Sequence, residues 1–207
     1  MAWIIDSGLL IAYYGSIVAI MNPFTALNNY LTLTEGMEDV EARSVMKQAL
    51  LVVAALSLLF VLAGKLILEF YHLSLASLKL GGGILLMYIA VDMLSGQPKS
   101  RRVEGREIAV VPLATPMIVG PGTMTLLINL GTTGHLVEVL LALLLSILTV
   151  AATLHASRRL KAILGRNGIK AMARFMSLII ASVAAQMMLS GASEYLETVR
   201  NSARSVY

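Results

Sequence analysis

Stretches free of Asp, Glu, Lys and Arg dominate the chain. Ser7 to Thr34 is one and Gln48 to Gly64 a second; a third runs from Leu80 to Val91 and continues past Asp92 to Pro98. A fourth covers Ile108 to Val137, and Val139 to Ser157 and Phe175 to Ser193 complete the set. These runs are continuously apolar, without the polar and apolar alternation of barrel strands. Their lengths are of the order of the roughly 20 residues that a helix needs to cross a hydrocarbon core. The pattern predicts six transmembrane helices joined by loops too short to fold separately. The expectation is an all-α integral membrane protein with one domain over residues 1–207. The first run has no basic n-region, is too long for a cleaved signal peptide and shows no small-residue cleavage site.

Composition agrees. Hydrophobic residues make up 57% and charged residues 14% of the chain, against about 45–50% and about 25% in soluble domains. Mean hydropathy is +0.80. One soluble core of this size could not hide so much apolar surface, which excludes an ordinary soluble enzyme, a disordered chain and a disulfide scaffold. With no cysteine in the sequence, disulfides, thiolate metal sites and cysteine nucleophiles are excluded too. The net charge of +4 takes its meaning from where the charges fall. Arg43 and Lys47 follow the first run; Lys99, Arg101, Arg102 and Arg106 follow the third; Arg158, Arg159, Lys161, Arg166, Lys170 and Arg174 follow the fifth. If these three loops face the cytoplasm, twelve of the sixteen basic residues lie inside, as the positive-inside bias requires. Both termini are then expected outside. The basic clusters read as topology signals that touch anionic lipid headgroups, and nucleic-acid binding has no other support.

The two longest runs each carry proline deep inside, as Met21-Asn22-Pro23-Phe24-Thr25 and as Val119-Gly120-Pro121-Gly122-Thr123. Aligning Pro23 with Pro121 puts Thr25 on Thr123. At a slightly different offset, Ala90-Val91-Asp92-Met93 in the third run matches Ala184-Ala185-Gln186-Met187 in the sixth. This weak internal repeat implies two halves of three spans, about 1–98 and about 106–198, joined by a basic linker at about 97–107. Three spans per half is odd, so the second half enters the bilayer upside down, the inverted-repeat plan of many secondary transporters. Proline inside a helix removes a hydrogen bond and costs about 3 kcal/mol, and broken backbone in hydrocarbon must be buried in protein or line a polar cavity. Asn is a favoured N-cap and Pro a favoured first helical residue. Helices one and four are therefore expected to be discontinuous at the midplane. Each second half presents an N-terminus with unpaired N–H groups and roughly half a positive charge, and two such ends make an anion or carboxylate site. The plainer alternative is a pair of proline kinks used only for packing.

Asn22, Thr25 and Asn29 recur at i, i+3 and i+7 beside Asn28; Thr115, Thr123, Thr125 and Asn129 decorate the fourth run. Such groups bind a polar ligand or hydrogen-bond between helices. Asp92 is a carboxylate after a long apolar run, a proton-coupling candidate by default or an interfacial partner of Lys99 or Arg101. Its counterpart Gln186 does not titrate. Gly81-Gly82-Gly83 permits close helix contact and is no phosphate loop; Ala181, Ser182, Ala184 and Ala185 give the sixth span a small face. Lys65 and Glu69 are spaced to pair at the outer surface, and Lys79 to snorkel outward. His72, His135 and His155 make no metal-ligand spacing, and no hydrolase, nucleotide or zinc motif is present. No enzyme, metal or cofactor is expected.

Met21-Asn22-Pro23, Gly81-Gly82-Gly83-Ile84-Leu85-Leu86 leading to Ala90-Val91-Asp92-Met93-Leu94, and Val111-Pro112-Leu113-Ala114-Thr115-Pro116 with Gly120-Pro121-Gly122-Thr123 resemble the MarC/SnatA family of bacterial and archaeal inner-membrane proteins. Gly165 through Arg174, then Ala184-Ala185-Gln186-Met187, resemble its last motif, so the likeness spans essentially the whole chain. The resemblance implies six spans in inverted repeats with broken first and fourth helices. It also implies import of small neutral amino acids such as glycine and alanine, driven by a proton or sodium gradient. The expected substrate site is then Asn22, Pro23, Thr25, Thr115, Gly120, Gly122 and Thr123, holding a zwitterion by its carboxylate, with Asp92 and Gln186 as the coupling pair. A passive channel or an exporter of another small polar solute is the alternative; a lipid-acting enzyme would need more acids or histidines at one depth.

Overall fold

The computed structural model describes residues 6–95 and 118–204. Thr115, the basic linker and the start of the fourth run lie outside these residues. The described chain folds into helices α1 (Ser7–Met21), α2 (Pro23–Leu33), α3 (Asp39–Phe70), α4 (Leu75–Ser95), α5 (Pro121–Gly131), α6 (Leu136–His155) and α7 (Ser157–Arg204). Five helical stretches are long and apolar enough to cross a membrane: Ser7–Leu33, Asp39–Phe70, Leu75–Leu94, Leu136–His155 and Ser157–Asn201. The fourth run contributes the shorter apolar helix α5 to the described residues.

Two expected loops are helical instead. Arg43 and Lys47 sit on α3, and the basic residues from Arg158 to Arg174 sit on α7. An uncharged run measures depth in hydrocarbon, whereas helix ends are set by caps. Lys, Arg, Glu and Gln are good helix formers, so both helices continue into the polar layer. Helix α7 is interrupted only at Gly165, whose φ of 65° and ψ of 173° are accessible essentially to glycine alone.

The outer surface is a belt of exposed leucines, among them Leu51, Leu62, Leu66, Leu144, Leu148, Leu178 and Leu189, as a lipid-facing surface requires. Inside, small residues let backbones approach, the way membrane helices associate without a hydrophobic driving force. Helices α4 and α7 lie antiparallel through a reciprocal pair of glycines. A β-carbon on Gly83 would stand 2.9 Å from the Ala184 carbonyl oxygen, and one on Gly191 would stand 2.7 Å from that of Ala76. Of the glycine triplet, Gly82 abuts Thr125 of α5 and Gly83 abuts α7, while Gly81 faces open space. Of the expected small face of α7, Ala184 is fully buried and Ser182 is exposed. Helices α3 and α5 meet where Gly131 lies against the Val61 backbone.

Ion pairs fasten both ends of the molecule. Where α2 ends and α3 and α7 begin, Asp39 pairs with Arg158 and Glu35 with Arg166. At the opposite end Lys79 of α4 binds Glu194 of α7 at 2.5 Å. Lys79 therefore does not snorkel outward: its side chain is 13% exposed, because a carboxylate on the neighbouring helix meets the ammonium sideways. Lys65 and Glu69 do pair along α3, at 3.8 Å and exposed.

Candidate functional site at the starts of α2 and α5

Asn22 separates α1 from α2. Its φ of 44° and ψ of 77° are left-handed, a conformation Asn tolerates better than other residues with a β-carbon. The residue closes one helix and opens the next. Its N–H donates to the Val18 carbonyl at 2.9 Å, and its Oδ1 accepts from the Thr25 N–H at 3.1 Å. Pro23 follows as the first residue of α2, where its missing N–H and fixed φ cost nothing. Helix α5 begins in the same manner, with Gly120 in extended conformation as the N-cap and Pro121 next. Gly120 offers no side chain to cap the helix, and no side-chain cap bond is made among the described residues; the first-turn N–H groups of a helix have no partner within the helix itself. Thr123 is 2% exposed and donates to the Ile118 carbonyl at 3.0 Å.

The two helix starts share one cavity. Asn22 and Thr25 of α2 and Gly120, Gly122 and Thr123 at the start of α5 line its polar side. Leu86, Ile89 and Met93 of α4 form the facing apolar wall, closed by Ile20 and Ile180. The cavity volume is about 30 Å³, room for about two waters. None of these lining residues is charged, so the field in the cavity comes from the electropositive ends of α2 and α5. Two buried polar atoms at the site, Asn22 Nδ2 and Thr25 Oγ1, have no hydrogen-bond partner among the described residues. An unmet buried polar group costs about 1–3 kcal/mol, a penalty that a bound polar molecule removes.

Of the residues expected to bind substrate, Asn22, Thr25, Gly120, Gly122 and Thr123 thus come together. Pro23 is buried at the start of α2 without forming part of the wall, and Thr115 lies outside the described residues. Asp92 is half-buried on α4, beside the wall residue Met93 but not itself on the wall; Gln186 is on the exposed side of α7. The α4 wall was not anticipated. Its only signal in the sequence is the i, i+3, i+7 spacing of Leu86, Ile89 and Met93, which any helix face can carry.

The likeness to known proteins extends over the same elements. The profile of MarC family integral membrane proteins matches residues 8–196. A UPF0056 membrane protein of Methanocaldococcus jannaschii is 36% identical over 198 residues, covering 90% of this chain and 97% of its own. One from Pyrococcus horikoshii is 31% identical over 183 residues, covering 86% of this chain and 91% of its own. The UPF0056 inner membrane protein YhgN of Escherichia coli is 33% identical over 184 residues, covering 84% of this chain and 91% of its own. No solved structure matches the chain. With both helix starts and the α4 wall inside the matched span, the chain belongs to the MarC family of integral membrane proteins.

Proposed function

We propose that the protein is a multi-pass inner-membrane secondary active transporter of small neutral amino acids such as glycine and alanine, and not an enzyme. The observation that carries this reading is the meeting of the N-termini of α2 and α5 at one cavity that holds two unpartnered polar atoms. The substrate carboxylate rests on first-turn N–H groups, that of Phe24 in α2, where the Thr25 N–H is already taken by Asn22 Oδ1, and those of Gly122 and Thr123 in α5. Asn22, Thr25 and Thr123 hydrogen-bond the zwitterion, and Leu86 with Ile89 leaves space only for a small side chain. The family resemblance supplies the amino-acid class. The name of the Escherichia coli relative supports the inner membrane, and the basic-residue bias supports termini on the outside.

An inverted repeat is supported by how the helices pack. Helix α2 packs on α6 and α7, while α5 packs on α3 and α4; α4 packs on α7 and α3 on α6. Exchanging the two halves reproduces this pattern: α2 with α5, α3 with α6, α4 with α7. On this reading helices one and four are broken at the bilayer midplane. A cavity of about 30 Å³ is too tight for an amino acid, so loading requires one half to rock against the other, the expected motion of such folds. A proton or sodium gradient drives the cycle, with Asp92 as the coupling candidate.

The test is uptake of labelled glycine and alanine into proteoliposomes under imposed proton and sodium gradients. The expected result is saturable accumulation against the concentration gradient. Saturation-free flux without accumulation would identify a passive channel. No flux and no binding of either amino acid would overturn the substrate assignment and leave an exporter of another small polar solute.

A further inference from the structure

A second cavity, of about 110 Å³, opens at the end of the molecule where α3 begins and α6 passes into α7. Arg43, His155, Ser157 and Arg158 line it together with Asp39. Asp39 holds Arg158 in an ion pair, so the wall carries two guanidiniums, one carboxylate and an imidazole. The first turn of α7 sharpens the imbalance. A helix N-terminus favours acids, yet this turn contains none and holds Arg158 and Arg159 instead. Ser157 opens the helix, is 6% exposed and lines the cavity, and its hydroxyl makes no hydrogen bond among the described residues. Basic side chains, the start of α7 and the Ser157 hydroxyl thus meet at one opening, the kind of donor set that a tetrahedral oxyanion fills. Tyr30, Met46 and Leu154 complete the lining on its inner side.

We infer that this cavity is a binding site for a phosphate group, supplied either by an anionic phospholipid headgroup or by a soluble phosphate. Arg43 and the first-turn N–H groups of α7 take the oxygens, Ser157 donates its hydroxyl, and Asp39 keeps Arg158 oriented toward the opening. The site is separate from the cavity between α2 and α5 and stands whether or not the protein transports amino acids.

The full-length protein in detergent is titrated with phosphatidylglycerol and with phosphatidylcholine, scored by native mass spectrometry, and with inorganic phosphate, scored by calorimetry. Three proteins are compared: the natural chain, Arg43→Gln and Arg159→Gln. Arg43 lines the cavity, whereas Arg159 is exposed on the same first turn and does not line it. Saturable binding that Arg43→Gln weakens about tenfold, the usual worth of a charge-assisted hydrogen bond, and that Arg159→Gln leaves within about twofold, bears the inference out. Preference for phosphatidylglycerol identifies a headgroup site, and binding of inorganic phosphate alone identifies a soluble ligand. Absence of saturable binding by every probe, or equal weakening by the two variants, overturns it, since the second outcome describes diffuse surface charge.

Discussion

At the scale of single residues, Asn22 combines two roles that substitutions can separate. Its backbone is left-handed and its Oδ1 caps α2, while its Nδ2 stays unpartnered at the cavity. Asn22→Gly keeps the left-handed conformation free of strain and loses only a few tenths of a kcal/mol of capping. Asn22→Ala loses the cap and strains the backbone, for about 1–2 kcal/mol. Thermal unfolding should therefore tell the two variants apart, whereas glycine uptake should fall about tenfold in both, because both lose the amide donor. Normal uptake by Asn22→Gly would remove Asn22 from the site. A second residue-scale test concerns Gly122, where a β-carbon would collide with the end of the Leu86 side chain. Leu86 is 4% exposed and lines the cavity, so a side chain pushed from Gly122 crowds the space that the substrate needs. Gly122→Ala should abolish most uptake, and Leu86→Ala added to it should restore glycine uptake and admit larger neutral amino acids. Competition assays with alanine, valine and leucine measure the change; a double variant as inactive as Gly122→Ala would mean that Leu86 does not set pocket size.

At the scale of elements, close backbone contacts hold the helices that frame the site. Gly131 at the end of α5 lies against the backbone of Val61 on α3, and backbone cannot step aside as a side chain can. Gly131→Ala should destabilise the folded protein by about 1–3 kcal/mol, the range for overpacking, seen as a lower unfolding temperature in detergent. Gly81→Ala, with nothing near its would-be β-carbon, should be neutral or slightly stabilising through helix propensity. What the sequence reveals differs between elements for a physical reason. The starts of α2 and α5 are legible because an N-cap followed by proline is a local signal, spelled out by Asn22-Pro23 and Gly120-Pro121. The apolar wall of α4 is not legible. In a bilayer, residues facing lipid and residues facing a pocket are equally apolar, so Leu86, Ile89 and Met93 read like their exposed neighbours Ile84, Leu85 and Tyr88. The ends of α3 and α7 were missed because charge marks the membrane surface while the helix runs on. The Lys79–Glu194 pair was missed because its members are 115 residues apart in sequence.

At the scale of the whole molecule, the ion pairs at the start of α3 bridge the first half of the chain to the second. Glu35 and Asp39 belong to one half, Arg166 and Arg158 to the other. If the halves rock against each other, these pairs must break for the cavity to open toward the face that carries the basic residues. All four side chains are 49–75% exposed, so each pair is worth only about 0–1 kcal/mol. That is too little to decide folding and enough to shift a balance between two arrangements by several-fold. The natural chain has no cysteine, so Thr25→Cys places one clean reporter at the cavity. With Glu35→Gln and Asp39→Asn added, labelling of Cys at position 25 by a small charged thiol reagent should quicken about three- to tenfold, the factor that about 0.7–1.4 kcal/mol of lost pairing gives. The gain should appear in inside-out vesicles and not in right-side-out ones. Exchanging the charges at the first pair instead, Glu35→Arg with Arg166→Glu, with Asp39 left natural, should keep the rate at that of the reporter alone, because the attraction between the halves is preserved with its sign reversed at each end. A rate that ignores the pairs, or one that rises equally from both faces, would show that they fasten the surface without controlling access to the cavity.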